Sequence, residues 1–269
     1  MEGIPKVSVV ITTYNRPEYL RRVVEGYLNQ SHPPDEILIA EDGSNRETEL
    51  TVGELQTKSN VKILHIRQEH NGFRAAMIRN KAIASSTGSY IILSDDDSIP
   101  CRTLVKDHLR YAERGYFIQG HRVLLGEKVS NNFTFWDISI KKLFLSFIKG
   151  QVKNFSNAIR LPIPLIMISQ SLEGIRSCNM SFFKKDFVSI NGFNEDFIGW
   201  GKEDSELVVR FYKYGLKRKD IRFHASSYHL YHFHYERSNL EKNILLLERS
   251  INEKDYYCKN GIDKYLKPK

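Results

Sequence analysis

The 269-residue sequence contains few cysteines and no long apolar run, and each shortage excludes a class of protein. The three cysteines are scattered, without the paired spacing of a zinc site, and they are too few for a disulfide scaffold. They fit a reducing compartment, so we expect a cytoplasmic protein. The longest apolar run, residues 161–168, is only eight residues long and contains two prolines, whereas a membrane-spanning helix needs about 20 apolar residues. We therefore expect no such helix. We also expect no secretory signal, because the first residues lead directly into a predicted strand.

Two glycine-rich phosphate-binding motifs are also absent. No G-x-G-x-x-G follows the first predicted strand, and no G-x-x-x-x-G-K-[ST] occurs in the chain. Dinucleotide-binding and P-loop folds therefore lack their signature here.

Acidic residues are scarce in one part of the chain, although the whole carries a formal net charge of +8. Residues 1–140 are nearly balanced, with 17 basic and 18 acidic residues, whereas residues 141–269 contain 23 and 14. Residues 141–185 hold eight basic residues and a single acidic one, Glu173. Basic surface of this kind favours a phosphate-bearing partner, such as nucleic acid, anionic lipid or a phosphorylated substrate.

The N-terminal half alternates apolar runs of strand length with segments of helical character. We predict strands over residues 7–13, 36–40, 61–66 and 90–93, with helices over 18–29, 46–58 and 73–84. Such alternation predicts a parallel sheet that is covered on both faces. Ligands of these sheets bind beyond the carboxyl ends of the strands.

Three of the four predicted strands end in polar clusters, at residues 12–15, 41–44 and 95–97. Three consecutive aspartates raise one another's pKa, and a divalent cation such as Mg²⁺ or Mn²⁺ would relieve this repulsion and grip a diphosphate. In this arrangement Asp95 and Asp97 face the same way and Asp96 turns aside. The alternative for residues 95–97 is a solvated turn or a helix cap.

The second cluster offers hydrogen-bonding groups for a nucleoside. Glu41 and Asp42 could bind a base or a ribose, although an Asp-Gly pair is also typical of a plain turn. Arg74 and Arg79 supply guanidinium groups near the same edge, and the alternative for Arg79 is a surface ion pair.

The C-terminal half has less regular patterns. We predict a basic helical insertion over residues 131–170, strands over 176–183 and 222–231, and helices over 203–214 and 236–258. Apolar residues alternate with lysines over residues 141–153, as in a helix lying on an anionic membrane. A basic rim around an anionic acceptor site, or a solvated face, is the alternative.

Five segments taken together resemble a known family. VSVVITTYNRPEYL, ILIAEDGS, GFRAAMIRNKAI and SYIILSDDDSIP resemble, in order and spacing, the donor-binding half of family 2 glycosyltransferases with the GT-A fold. GFNEDFIGWGKEDSELVVRFYKYG resembles the acceptor-side segment of galactosyltransferase-type and chondroitin-polymerase-type members. The resemblance covers about residues 6–250 and leaves 131–170 without a counterpart.

This resemblance implies a Rossmann-like α/β fold, in which helices flank a mostly parallel central sheet within a single domain. Residues 1–130 would form the half that binds the nucleotide sugar, and 131–170 the basic insertion. Residues 171–269 would form the half that binds the acceptor and supplies the catalytic base.

The resemblance also implies roles for individual residues. Asp97 would bind the metal ion and Asp95 would lie nearer the ribose. Ile78 stands where the family commonly has alanine before the arginine that matches Arg79. The residues expected to contact the nucleotide or substrate are Thr12, Tyr14, Arg16, Glu41, Asp42, Arg74, Arg79, Asp95, Asp96 and Trp200.

Residues 200–204 match the W-G-x-E-D pattern of the family, in which the second acid is the general base. Asp204 would take the proton of the acceptor hydroxyl, with Glu203 beside it, and Trp200 would offer a flat face to a sugar ring. Both acids open a predicted helix, whose dipole favours their ionised forms. The alternatives are a helix cap for the two acids and a core position for the tryptophan.

Three histidines, His229, His232 and His234, alternate along or just after the last predicted strand. An imidazole could complete the metal site, and His229 and His232 match the H-x-x-H that is frequent in the family. The sequence does not choose between these two, and an ordinary hydrogen-bonding histidine is the alternative for each.

The function that follows is an inverting transfer dependent on Mn²⁺ or Mg²⁺. A hexose or N-acetylhexosamine would pass from a nucleotide sugar, with UDP favoured by the family, to a hydroxyl of a glycan or lipid-linked glycan. Such an enzyme would serve cell-surface polysaccharide or lipopolysaccharide synthesis, with peripheral contact at the inner face of an anionic membrane and no nucleic acid partner.

Three other classes are weighed against this function. A basic nucleic-acid-binding protein lacks a recognition signature here and leaves the acidic cluster unexplained. A nucleotidyltransferase would carry a glycine-rich basic loop after the first strand. An inactive sugar- or nucleotide-binding relative would not need the acid pair at residues 203–204.

Overall fold

Strands and helices alternate along the N-terminal half, as its apolar runs predict. The computed structural model describes residues 4–233 and 237–266. The strands are β1 (Val7–Thr13), β2 (Glu36–Glu41), β3 (Lys62–Arg67), β4 (Tyr90–Asp95), β5 (Ser98–Pro100), β6 (Tyr116–Gln119), β7 (His121–Leu125), β8 (Val152–Lys153), β9 (Leu165–Ser169), β10 (Asn179–Phe183), β11 (Lys217–Arg222) and β12 (Ser226–His229). The α-helices are α1 (Pro17–Leu28), α2 (Arg46–Lys58), α3 (Ala75–Ser85), α4 (Leu104–Tyr111), α5 (Glu127–Ser130), α6 (Ile140–Ile148), α7 (Lys184–Ser189), α8 (Glu203–Tyr214) and α9 (Leu240–Asn252).

The main sheet has eight strands in the order β3-β2-β1-β4-β10-β6-β11-β9. The first four are parallel, and β10 joins them antiparallel to β4. The order 3-2-1-4 is that of a nucleotide-binding half-sheet. The predicted α/β class with a mostly parallel central sheet is therefore confirmed.

Burial on both faces of β1 explains why its sequence is continuously apolar. Val9 and Ile11 pack into one hydrophobic cluster with α1 and α2, and Val10 points into a second cluster on the opposite face, with α3. All three side chains are fully buried. A strand in this position has no face for water, so it shows no polar alternation.

A smaller sheet, in the order β5-β12-β7-β8, starts where the main sheet ends. Strand β4 ends at Asp95 and β5 begins at Ser98, so the acidic turn joins the two sheets. His229 of β12 pairs with Ser98, and the Leu230 backbone N–H donates to the Asp97 carbonyl oxygen at 2.8 Å. This pairing places His229, at the end of β12, beside the turn formed by residues 95–97, which we call the acidic turn.

Several predicted elements in the C-terminal half are wrong in type or bounds. The basic segment 131–170 is only partly helical: α6 lies within it, but β8 joins the smaller sheet and β9 forms an edge of the main one. The strand predicted over 222–231 corresponds to β12 alone, with β11 ending at residue 222, and the helix predicted over 236–258 spans 240–252. Helix α8 has the predicted bounds.

Candidate active site

A cavity of about 1000 Å³ opens at the carboxyl ends of β1 and β4. Its walls come from these strand ends, from the loop that leads into α8 and from the smaller sheet. Of the predicted site residues, those lining it are Thr12, Tyr14, Asp42, Arg79, Asp95, Asp96, Asp97, Trp200, Glu203, Asp204, His229 and His232.

Asp97, His229 and His232 form a cluster suited to a metal ion. Their ligand atoms all lie within 4.8 Å of one another, with His232 Nε2 3.1 Å from Asp97 Oδ2 and His229 Nε2 3.5 Å from Oδ1. Asp97 Oδ1 is buried and has no hydrogen-bond partner among the described residues. One carboxylate and two imidazoles therefore converge, with an unused oxygen, as a divalent cation requires. His234 lies outside the described residues.

The electrostatics of Asp97 favour its ionised form. Burial raises the pKa of this carboxyl, but the two histidines and Arg16 outweigh burial and lower the pKa to about 2. Arg16 Nη1 lies 3.0 Å from Asp97 Oδ2. A cation at this position would therefore meet a carboxylate that is already charged.

The middle aspartate of the turn points toward β1. Asp96 Oδ2 accepts hydrogen bonds from Thr13 Oγ1 at 2.7 Å and from the Tyr14 backbone N–H at 3.4 Å. Burial, together with the neighbouring Asp97 carboxylate, raises the pKa of Asp96 to about 8. Asp96 thus anchors the turn to the end of β1.

Arg79 connects the donor-side strand ends to helix α8. Its Nε donates to Thr12 Oγ1 at 3.0 Å, its Nη2 lies 3.0 Å from Asp95 Oδ1, and its Nη1 lies 3.3 Å from Glu203 Oε1. The side chain is only 4% exposed. The alternative of a surface ion pair is wrong, because this arginine is buried in the cavity wall with three partners.

Tyr14 and Asp42 form the end of the cavity beyond β1 and β2. The Tyr14 ring stacks on His70, with ring centroids 4.6 Å apart and an interplanar angle of 13°. Asp42 accepts hydrogen bonds from the Arg74 backbone N–H at 2.7 Å and from Gln68 Nε2 at 2.6 Å. These contacts fix the orientation of an aromatic ring and a carboxylate at the cavity wall.

Three predicted nucleotide contacts, Glu41, Arg16 and Arg74, are not among the residues that line the cavity. The fully buried Glu41 carboxylate instead bonds to His65 and Arg67. Arg16 pairs with the acidic turn, and Arg74 reaches the site through its backbone N–H. Arg16 and Arg74 thus contact site residues within the protein, and direct contact of the three residues with a nucleotide stays a prediction.

The turn that precedes α8 has an unusual backbone. Gly199, Gly201 and Lys202 all have positive φ angles, of 79°, 107° and 77°, a region that glycine adopts without steric cost. A Cβ atom at Gly199 would come within 2.8 Å of Asn239. The turn leaves Trp200 37% exposed at the cavity, where Arg237 lies 4.9 Å from its ring centroid.

The acid pair at the start of α8 is half-buried, and this alters the pKa values of both carboxyl groups. Burial raises the pKa of Glu203 to about 7, with a further contribution from the Asp204 carboxylate. Burial also raises the pKa of Asp204, although Arg79 and the Ser205 backbone N–H, 2.7 Å from Asp204 Oδ1, act in the opposite direction. Burial therefore opposes the preference of the two acids for their ionised forms that the helix start predicts. A general base works best when its pKa lies near the working pH.

Sequence reasoning missed several basic residues that line the cavity. Arg122 comes from β7, a short strand that had no clear pattern, and Lys128 follows it on α5. Lys153 and Arg176 lie in the basic stretch that the sequence pointed out, but nothing in their spacing placed them at the site. The charge imbalance of residues 141–185 was the only available signal.

The comparisons with known proteins agree with this geometry. Residues 8–173 match the family described as Glycosyl transferase family 2, and residues 161–234 match the N-terminal domain of galactosyltransferase. Chondroitin synthase of Escherichia coli is 25% identical over 245 residues, which make up 84% of this chain and 35% of that protein. The chain thus spans about a third of the length of that relative.

Two solved structures share the architecture. S. aureus TarS 1–349 in complex with UDP has a TM-score of 0.63 at 16% identity, over 91% of this chain and 65% of that one. A mannosyltransferase from Pyrobaculum calidifontis in complex with GDP-Man and Mn²⁺ has a TM-score of 0.58 at 16% identity, over 83% and 56% of the two chains. The protein has the GT-A fold, and because the first family match covers more than half of its residues, it belongs to glycosyl transferase family 2.

Proposed function

We propose that this protein is an inverting glycosyltransferase that transfers a hexose or N-acetylhexosamine from a nucleotide sugar to a glycan hydroxyl. The observation that carries the proposal is that one cavity brings together the Asp97–His229–His232 cluster and the carboxylate of Asp204. The UDP in the TarS structure supports a UDP-linked donor. The likeness to a chondroitin synthase supports a role in building cell-surface polysaccharide or lipopolysaccharide.

The donor would lie along the acidic end of the cavity. Tyr14 and Asp42 would contact the base and ribose, and Asp97, His229 and His232 would hold the divalent ion. Two imidazole ligands favour Mn²⁺ over Mg²⁺, which prefers oxygen ligands. When bound, the ion supplies positive charge against the departing nucleoside diphosphate.

Asp204 would act on the acceptor from the other side of the donor sugar. Its carboxylate takes the proton of the acceptor hydroxyl as that oxygen forms a bond to the anomeric carbon. The bond from this carbon to the diphosphate oxygen breaks on the opposite face, so the configuration inverts. Trp200 presents a flat apolar ring to the sugar, and Arg79 holds Glu203 beside the base.

A peripheral contact with an anionic membrane would suit a lipid-linked acceptor, and helix α6 supports it. Leu145 and Ile148 are 58% and 64% exposed, and the lysines at 141, 142 and 149 flank this apolar face. Among the described residues, no helix has the length and apolarity to cross a bilayer. Flotation with phosphatidylglycerol vesicles should carry the wild-type protein, and the double variant Leu145→Ser, Ile148→Ser should stay unbound. Equal flotation of both would exclude this contact.

The function is tested by incubating the protein with UDP-hexoses and UDP-N-acetylhexosamines, Mn²⁺ and a panel of glycan acceptors. We expect Mn²⁺-dependent release of UDP and a product whose anomeric configuration, measured by NMR, is opposite to that of the donor. A product that retains the donor configuration would contradict single displacement. If the protein binds a nucleotide sugar but turns over none of the donors, GDP- and dTDP-sugars included, the result would favour an inactive sugar- or nucleotide-binding protein.

A further inference from the structure

A second pocket, of about 180 Å³, adjoins the active-site cavity. Arg122 and Arg176 line both spaces, and His121 and Arg218 line the smaller one. The rest of its wall is made largely of amide side chains and backbone, and none of the residues lining it is an aspartate or glutamate. We call this space the basic pocket.

Two of its guanidinium groups lack an acidic partner in the part of the chain that the structure describes. Arg122 Nη1 contacts Cys178 Sγ at 3.9 Å, and Arg176 Nη1 contacts the carbonyl oxygen of Ile175 at 3.3 Å. Across residues 4–233 and 237–266, neither arginine has a carboxylate oxygen within 4.0 Å, whereas Arg218 is paired with Asp220. Two positively charged residues that are not ion-paired within 4.0 Å among the described residues therefore line the pocket.

His121 adds an unsatisfied polar atom to the same wall. Its Nε2 is buried and has no hydrogen-bond partner among the described residues. A buried polar atom without a partner is destabilising, and the protonated Nε2 could donate a hydrogen bond to an oxygen of a bound anion. Arginines recognise carboxylate and phosphate groups through paired hydrogen bonds. The two arginines and His121 therefore make the basic pocket suited to binding one anionic group.

The basic pocket lies on the acceptor side of the reaction centre. Arg176 directly precedes Ser177, which lines the cavity with Asp204, and the charge of Arg176 is among those that oppose the burial-driven rise in the pKa of Asp204. The acceptor hydroxyl must meet Asp204, whereas the donor contacts lie at the carboxyl ends of β1 and β2. A group in the pocket would thus belong to the acceptor.

We propose that the basic pocket binds an anionic group of the acceptor, the carboxylate of a uronic acid or a phosphate, and so directs its hydroxyl toward Asp204. This inference rests on the proposed function for the identity of the ligand as an acceptor. The presence of an anion site in the pocket can be measured independently.

The test uses three probes, methyl glucuronide, glucose 6-phosphate and neutral methyl glucoside, titrated by NMR with and without UDP and Mn²⁺. We expect one of the two anionic probes to bind at least about tenfold more tightly than the neutral one. The better of the two identifies a carboxylate or a phosphate as the recognised group. Equal binding of all three probes would overturn the proposal.

Variants locate the binding. Arg122→Gln and Arg176→Gln should each lower the affinity for the preferred anionic probe about tenfold. Arg176→Lys, which keeps the charge, should lower this affinity less. Arg249→Gln is the matched control, because Arg249 is 72% exposed on α9. UDP binding with Mn²⁺ should stay within about twofold of wild type in every variant.

The remaining outcomes are separable. A parallel loss of UDP affinity in Arg122→Gln and Arg176→Gln would assign the pocket to the donor diphosphate and overturn the proposal. If wild-type protein binds an anionic probe in the basic pocket but binds none of UDP, GDP and dTDP, the anion site stands and the proposed function fails.

Discussion

The two ends of the active-site cavity carry opposite charge. Asp42 and the aspartates at 95–97 line the end formed by the parallel strands, whereas Arg122 and Arg176 line the end formed around the smaller sheet. An acidic end attracts a cation and, through it, a diphosphate, while a basic end attracts an anion directly. The contrast fits the proposed function, in which one end would take the donor and the other the acceptor, and in which Asp204 would meet the acceptor hydroxyl.

The largest effect on activity is expected from a change of the proposed base, Asp204. Asp204→Asn keeps the size of the side chain but removes the base, so kcat should fall by about 10²–10⁴-fold. Binding of UDP with Mn²⁺ should remain near wild type, because the donor end is untouched. Steady-state kinetics and calorimetry measure the two quantities. Unchanged kcat would show that Asp204 is not the base.

The next largest effect is expected on stability, from a change of Arg79, which contacts both Asp95 and Glu203. Arg79→Gln would leave Asp95 and Glu203 near one another without their shared positive charge. Loss of one partner of a buried ion pair costs about 3–5 kcal/mol, and urea unfolding should show a decrease of that size in the free energy of unfolding. Arg21→Gln, which breaks a partly exposed pair with Glu54, should cost under about 1 kcal/mol. Equal costs would mean that Arg79 is not a structural link.

A smaller effect is expected in the pH dependence. The ionised base is the active form, and burial raises the pKa of both acids, that of Glu203 to about 7. Activity should therefore fall toward acid pH, with the acid limb at a higher pH than an ordinary aspartate would give. Glu203→Gln removes the neighbouring negative charge, so the pKa of Asp204 should decrease and the acid limb of kcat/KM should move to lower pH.

The exposed Glu54→Gln serves as the control for this profile and should leave the acid limb in place. A Glu203→Gln profile that overlays wild type would show that the two acids do not titrate as neighbours. A shift to higher pH would contradict the assignment of Glu203 as the source of the repulsion.

The same two regions differ in how far the sequence predicts them. Strands β1–β4 and helices α1–α3 follow from local signals. Buried parallel strands require unbroken apolar runs, and the helices between them require apolar residues that repeat with the helical period. Strands β5, β7, β8 and β12 are short, and long-range pairing creates them. The edge strand β9 is apolar, but it follows two prolines and was assigned to a helical segment.

The candidate site divides in the same way. Asp97 and Asp204 could be identified because family motifs at strand and helix ends mark them. The direction of a side chain at a turn depends on neighbours distant in sequence, so no local pattern shows that Glu41 pairs with His65 or that Arg74 meets Asp42 through its backbone N–H. The placement of Arg122 depends on the pairing of β7 with β12, which no local pattern indicates.

Calorimetric titration with UDP, with and without Mn²⁺, on wild-type protein and Asp97→Asn tests the central claim most directly. We expect UDP to bind wild type in a Mn²⁺-dependent manner. In the variant the Mn²⁺ dependence should disappear, with affinity at least about 10-fold lower, because one of three converging ligands is neutralised. UDP binding that is indifferent to Mn²⁺ in both proteins would contradict a cation-bridged donor at the acidic end.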